Sequence, residues 1–299
     1  MGILTGQHPP CADRSVVVGV FNKDGQPVQN LMPEDFHAKL RGKPVQVGSA
    51  SYHKNHCRIV ILLDWSGSMR DQQPRLLIRI IKELATSAFV DTSIALLTFS
   101  DKVIEKVEFS QRPLVFVDRL NLLEARYLKE PYGKTRLNDA IEEGLSLLGQ
   151  PQVGDALLLI SDGGDNGSRT RPDKLKRDLV NSGVRLFAFL TVPPLWNRVR
   201  TPEEMQGANI NAICEETGGD AILNNTYDNS AAIKEKVASL ATEMKNIYVL
   251  EVGLPGQTDK PRQWKLEVEA AGSKDKSHLH LIYPRHFMPC ENPGKQGNH

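Results

Sequence analysis

The apolar positions of this chain change rhythm twice. In the first fifty-five residues they alternate with polar ones. Residues 15–21 (SVVVGVF) and 45–52 read as strands, with Asn22-Lys23-Asp24-Gly25 and Arg41-Gly42-Lys43 as turns and 33–36 as a short helical turn. Residues 58–63 (RIVILL) then run apolar without alternation and stop at Asp64, and 156–161 (ALLLIS) stop in the same way at Asp162. A run with no polar face predicts a strand covered on both sides, as in a parallel sheet. Helical spacing appears at 72–89, where Leu77, Ile80, Ile81, Leu84 and Ala88 share a face, and again at Leu137, Ile141, Leu145 and Leu148. Further helices are predicted at 172–181, 210–217 and 230–244, and further strands at 93–99, 102–109, 185–190 and 221–223. Alternation returns in strands at 247–254, 263–270 and 279–283.

Strands alternating with helices predict an α/β fold, a doubly wound and mostly parallel sheet with helices on both faces. This domain is expected over 56–245. The β-rich segments 1–55 and 246–299 each hold too few strands to stand alone, so they are expected to pair into one small β-sandwich.

Composition narrows the function more than the fold. The 299 residues include 37 basic and 36 acidic ones, for a net charge of +1. Neither end is strongly basic and no Lys/Arg run exceeds a few residues, so electrostatics gives no support for nucleic-acid binding. No apolar stretch reaches the roughly 20 residues of a membrane-spanning helix. Residues 1–14 lack the apolar run of a signal peptide, so the chain is expected to stay where it is made unless its start is truncated. Cys11, Cys57, Cys214 and Cys290 show no zinc or redox spacing. They are expected to be free thiols, the alternative being a bridge between Cys11 and Cys290.

The chemistry gathers at the ends of the two apolar strands. In an open doubly wound sheet, ligands bind outside the carboxyl ends of the strands where the strand order reverses. If the strands ending at Asp64 and Asp162 flank that point, both carboxylates face one crevice. Ser66 and Ser68 follow Asp64 at alternate positions, and Gly67 lets their loop fold tightly. Carboxylates and hydroxyls are hard oxygen donors suited to Mg²⁺, Mn²⁺ or Ca²⁺.

Asp64-x-Ser66-x-Ser68 resembles the first motif of von Willebrand factor type A (VWA) domains, the fold shared with integrin inserted domains. Gly133-Lys134-Thr135-Arg136-Leu137-Asn138-Asp139 is similar to the second motif, and Ser161-Asp162-Gly163 to the third. The likeness covers about residues 57–244. It implies a metal-ion-dependent adhesion site with Asp64, Ser66 and Ser68 as ligands, and Thr135 and Asp162 bound directly or through water. It also implies strand order 3-2-1-4-5-6, a partner protein that presents an Asp or Glu carboxylate, and a last helix, 230–244, that shifts in integrin-type relatives. The flanking segments resemble a bacterial VWA-related family frequent in acidobacteria, whose members are often exported.

Three further readings attach to the site. Trp65, inside the first motif, stands either as an exposed aromatic anchor beside the ion or packed against a neighbouring loop. The connection 192–209 is expected on the same face, with Trp196, Arg198 and Arg200 as a rim that selects partners, or as an insertion without a role. Asp165-Asn166-Gly167 lacks the acidic spacing of an EF-hand, and Asp139 reads as a local helix partner rather than a ligand.

Of the competing functions, a phosphotransferase of the haloacid-dehalogenase type needs an Asp where Ser66 stands. P-loop and dinucleotide motifs are absent, and the eight His show no HExxH pair. The expectation is therefore a divalent-cation-dependent protein-binding module and not an enzyme. The alternative is a scaffold whose metal site is structural or vestigial.

Overall fold

The computed structural model describes residues 13–54, 57–71, 74–86, 89, 92–110, 113–126, 133–192, 202–225, 229–253, 264–270 and 279–287. The chain opens with β1 (Asp13–Phe21), β2 (Phe36–Leu40), β3 (Lys43–Val45) and β4 (Val47–Lys54), with a 3-10 turn at Pro33–Asp35. The α/β region follows as β5 (Arg58–Asp64), α1 (Pro74–Thr86), β6 (Ser93–Phe99), β7 (Val103–Ser110), α2 (Pro113–Arg126), α3 (Leu137–Leu147), β8 (Ala156–Ser161), α4 (Pro172–Ser182), β9 (Arg185–Val192), α5 (Pro202–Thr217), β10 (Ala221–Asn225) and α6 (Ser230–Lys245). It closes with β11 (Asn246–Gly253), β12 (Trp264–Ala270), β13 (His280–Ile282) and β14 (His286–Phe287).

The central sheet has the order β10-β9-β8-β5-β6-β7, which is 3-2-1-4-5-6 when its strands are numbered from β5. Every pair is parallel except β6 with β7. Side chains alternate across the strands, so one apolar run feeds two cores. Ile59, Ile61 and Leu63 pack with α1, α2 and α6, while Val60 and Leu62 pack with α3, α4 and α5. This two-sided burial is what the unbroken run in β5 records.

The two end segments form two antiparallel sheets, β13-β1-β11-β4 and β14-β12-β2-β3. Val16, Val18, Val20, Leu250 and Val252 of the first sheet share a core with Phe36, Ala38, Leu40, Leu266 and Val268 of the second. Tyr248 ties this sandwich to its 28–31 connection, accepting from Leu31 N at 3.0 Å and donating to Val28 O at 3.1 Å.

Sequence and structure differ in several places. The sequence reading has no element between 110 and 137, where α2 buries Phe116, Leu120 and Leu123. It starts α5 at 210 although the helix begins at Pro202, so less of 192–209 is loop. It assigns no strand to β2 or β3, placing only a turn at 41–43 before the strand at 45–52, and does not find the two-residue β14. Cys57 and Cys214 are free; Cys11 and Cys290 lie outside the described residues. No helix among the described residues is long and apolar enough to cross a membrane.

The chain passes between sheet domain and sandwich at β4–β5 and at α6–β11, where α6 runs into β11 without an intervening loop. Arg185, 2% exposed, donates from Nη2 to Met244 O at 2.7 Å and to Gly154 O at 2.9 Å, holding the last turn of α6 against the base of the sheet. Burial lowers its guanidinium to about 10, so it stays charged at neutral pH. Asn246 donates to Thr242 O at 2.7 Å and accepts from the Tyr52 hydroxyl at 2.7 Å, and His286 pairs with Glu216.

Glu243, on α6, is pushed up to about 7 by burial and then by the charge of Asp220, and its Oε2 has no hydrogen-bond partner among the described residues. Its folded value lies above the unfolded one, so unfolding releases a proton and stability falls as pH rises from about 4.5 to about 7. Glu243→Gln removes this term. Its thermal melts should match wild type near pH 4 and gain about 1 kcal/mol over it at pH 8, a figure discounted for the accessible part of the side chain. Parallel pH profiles for the two proteins would contradict this account.

Candidate metal centre

β5 and β8 are neighbours in the sheet, and the order reverses between them because β5 leads outward to β6 while β8 leads outward to β9. Their carboxyl ends therefore open one crevice, and Asp64 and Asp162 stand at its two walls. Asp64 is 0% exposed. Its Oδ1 accepts from Ser66 N at 2.9 Å, which turns the first motif tightly, and its Oδ2 accepts from the Ser161 hydroxyl at 2.6 Å. The loop is tied to the next strand by Trp65 N, which donates to Phe99 O at 2.7 Å. Ser66 is buried and Ser68 exposed, and their hydroxyls lie 3.1 Å apart. Asp162 is half-buried and caps its own loop by accepting from Gly164 N at 3.0 Å. Thr135 is 4% exposed and held by its main chain, and its hydroxyl makes no hydrogen bond among the described residues.

Burial pushes the Asp64 carboxyl up to about 7; the Asp162 charge adds to the rise, while hydrogen bonds from Ser161 and Ser66 oppose it. Among the described residues no Lys, Arg or His pairs with it. A buried carboxylate without a counter-charge is costly, and a cation in the crevice would relieve that cost. The donor set fits a small hard ion in a second respect. Adjacent ligands of an octahedral Mg²⁺ at about 2.1 Å stand about 3.0 Å apart, close to the spacing of the two serine hydroxyls. No group of three or more His, Cys, Asp or Glu side chains converges among the described residues, so any ion here would be held by two carboxylates supplemented by hydroxyls and water.

One rim residue needs correction. Trp65 is 4% exposed and belongs to the core cluster with Met69, Leu63 and Ile78, so it is not an exposed anchor. The apolar space beneath the first motif is large enough for an indole, and burying it there removes more apolar surface from water than display beside the ion would. Trp196, Arg198 and Arg200 lie outside the described residues.

Ser161 and Asn166 escaped the sequence reading as individual contributors. Ser161 appears there only as the last residue of a strand and the first letter of the third motif, yet it donates to Asp64. Asp165 is a loop organiser, accepting from Asn138 N at 3.0 Å, Gly167 N at 3.2 Å and Ser168 N at 3.0 Å. Asp139 accepts from Arg169 N at 3.0 Å and Thr170 N at 2.8 Å and pairs with Arg136 at 3.1 Å, so it joins the two loops.

Trp65→Ala should behave as a core truncation, lowering unfolding free energy by about 3–5 kcal/mol in denaturant melts. A loss under about 1 kcal/mol would return Trp65 to the surface.

No curated protein matches the chain. Among solved structures, BatB from Bacteroides thetaiotaomicron is 18% identical with a TM-score of 0.48, covering 63% of this chain and 98% of its own. The manganese-loaded TRAP protein of Plasmodium vivax is 16% identical with a TM-score of 0.47, covering 81% and 96%. A von Willebrand factor type A protein from Catenulispora acidiphila is 11% identical with a TM-score of 0.43, covering 95% and 74%. The family model described as "VWA domain containing CoxE-like protein" matches residues 37–223, from β2 to β10. That match takes in more than half of the 299 residues, and the chain belongs to the family of VWA domain containing CoxE-like proteins.

Proposed function

We propose that this protein is a divalent-cation-dependent protein-binding module that captures a carboxylate of its partner at the crevice between β5 and β8. The observation that carries the reading is Asp64, a fully buried carboxylate raised by burial, beside Asp162 and without a basic partner among the described residues. Asp64, Ser66 and Ser68 would hold Mg²⁺, Mn²⁺ or Ca²⁺ from one wall, with Thr135 and Asp162 closing the shell directly or through water. A bound ion supplies an electrophilic coordination position at which an Asp or Glu carboxylate from a partner protein can replace water.

The protein's own residues set the conditions for that exchange. Ser161 and the Ser66 amide orient the Asp64 carboxylate. Ser68 is exposed and Asp162 half-buried, which would leave the outer side of the crevice open to a macromolecule; Ser66 and Thr135 are buried. Few anionic donors leave the ion poorly neutralised, which favours an anionic partner.

Thermal melts test the reading. With Mg²⁺, Mn²⁺ or Ca²⁺ in excess over EDTA, wild type should gain melting temperature with at least one ion, because a ligand specific to the folded state stabilises it by mass action. Asp64→Ala should not respond. A wild type indifferent to all three ions would remove the basis of the proposal and leave a scaffold with a vestigial site.

A further inference from the structure

The second and third motifs lie on separate loops, and among the bonds that close them against each other one residue grips the main chain of Thr135. Thr135 N donates to Asn166 Oδ1 at 2.9 Å, and Asn166 N donates to Thr135 O at 3.0 Å. The main chain of Thr135 is thus gripped at both its donor and its acceptor by Asn166, four residues beyond Asp162. Asn166 is exposed and belongs to no apolar cluster, so packing does not explain it. The surrounding bonds act in the same sense. Arg136 Nε donates to Gly167 O at 3.0 Å, and Asp165 accepts from Asn138 N at 3.0 Å. Gly167 lies so close to the second motif that a Cβ there would meet Arg136 Cγ at 3.1 Å and Thr135 O at 3.4 Å.

We infer that Asn166 is a positioning residue for Thr135: its carboxamide and amide lock the loop bearing the threonine hydroxyl to the loop bearing Asp162, so that both donors approach an ion as one rigid frame. The inference rests on the metal-site reading above and extends it to a residue that need not touch the ion. A donor fixed before binding loses little freedom when the ion arrives, whereas a threonine on an untied loop must be ordered at that moment. The grip needs a side-chain acceptor at 166. Asn and Asp have one in the right place, and Ala has none.

Calorimetric titration of the full chain with Mg²⁺ tests this, using wild type, Asn166→Ala, Asn166→Asp and Asp64→Ala, with metal-free melts of each. Asn166→Ala should weaken Mg²⁺ binding by about 10- to 100-fold, the range found when outer partners of a metal ligand are removed. Its metal-free melting temperature should stay close to that of wild type. Asn166→Asp, which keeps the acceptor, should bind at least as tightly as wild type. The inference is overturned if Asn166→Ala binds Mg²⁺ as wild type does, or if it loses metal-free stability with no change in affinity, the mark of a purely structural residue. Should Asn166→Ala not fold, Gly167→Ala carries the test, since it presses on the same Thr135 segment and should also weaken binding; unchanged affinity there overturns the inference. A wild type that takes up no more Mg²⁺ than Asp64→Ala would instead defeat the underlying site reading.

Discussion

The burial of Asp64 is the constraint around which the rest of the molecule is arranged. A carboxylate with no accessible surface at the end of a strand covered on both faces is stable only if something answers its charge. The fold answers in part, with a hydroxyl from the neighbouring strand and an amide from its own loop. Those two hydrogen bonds do not cancel the cost, because the carboxyl remains raised to about 7. Asp162 stands across the strand-order reversal and its charge adds to this deficit, while Asn166 hydrogen-bonds the main chain of Thr135 on the loop before α3.

What was legible in the sequence follows from how local its causes are. An all-apolar strand ending in Asp is a local signal, and both β5 and β8 fall where their runs lie. The alternation of the end segments is equally local and leads to the sandwich. α2 was missed although Phe116, Leu120 and Leu123 have helical spacing, because Val115, Val117 and the 52% exposed Leu122 interrupt the stripe and make the segment read as neither period. Trp65 was undecidable from spacing alone, since a residue after a strand end can turn either way until the packing beneath it is known. The Asn166 grip spans 31 residues and the Arg185 bond to Met244 spans 59, and no periodicity encodes contacts at that range.

The family assignment and the physical reading meet at different levels. Membership accounts for the sheet order and for helices on both faces. It does not say why the buried Asp64 carboxylate has no basic partner among the described residues, or that the Ser161 hydroxyl donates to it. Those features come from the chain's own residues, and they make a metal-dependent binding role testable in this protein without reference to any relative.

The junction between sheet domain and sandwich has a mechanical consequence. In the β4–β11 ladder Asn246 pairs with Lys54, so the two chain crossings enter the sandwich side by side. Two adjacent strands make a single axis, about which the sandwich would swing if nothing else touched. Away from that axis, His286 pairs with Glu216, and Gly218 sits so tightly under Pro284 that a Cβ there would lie 2.6 Å from the proline nitrogen. These contacts act as a stop. They brace the sandwich against the ends of α5 and α6, at the end of the sheet opposite the carboxyl ends that carry Asp64 and Asp162.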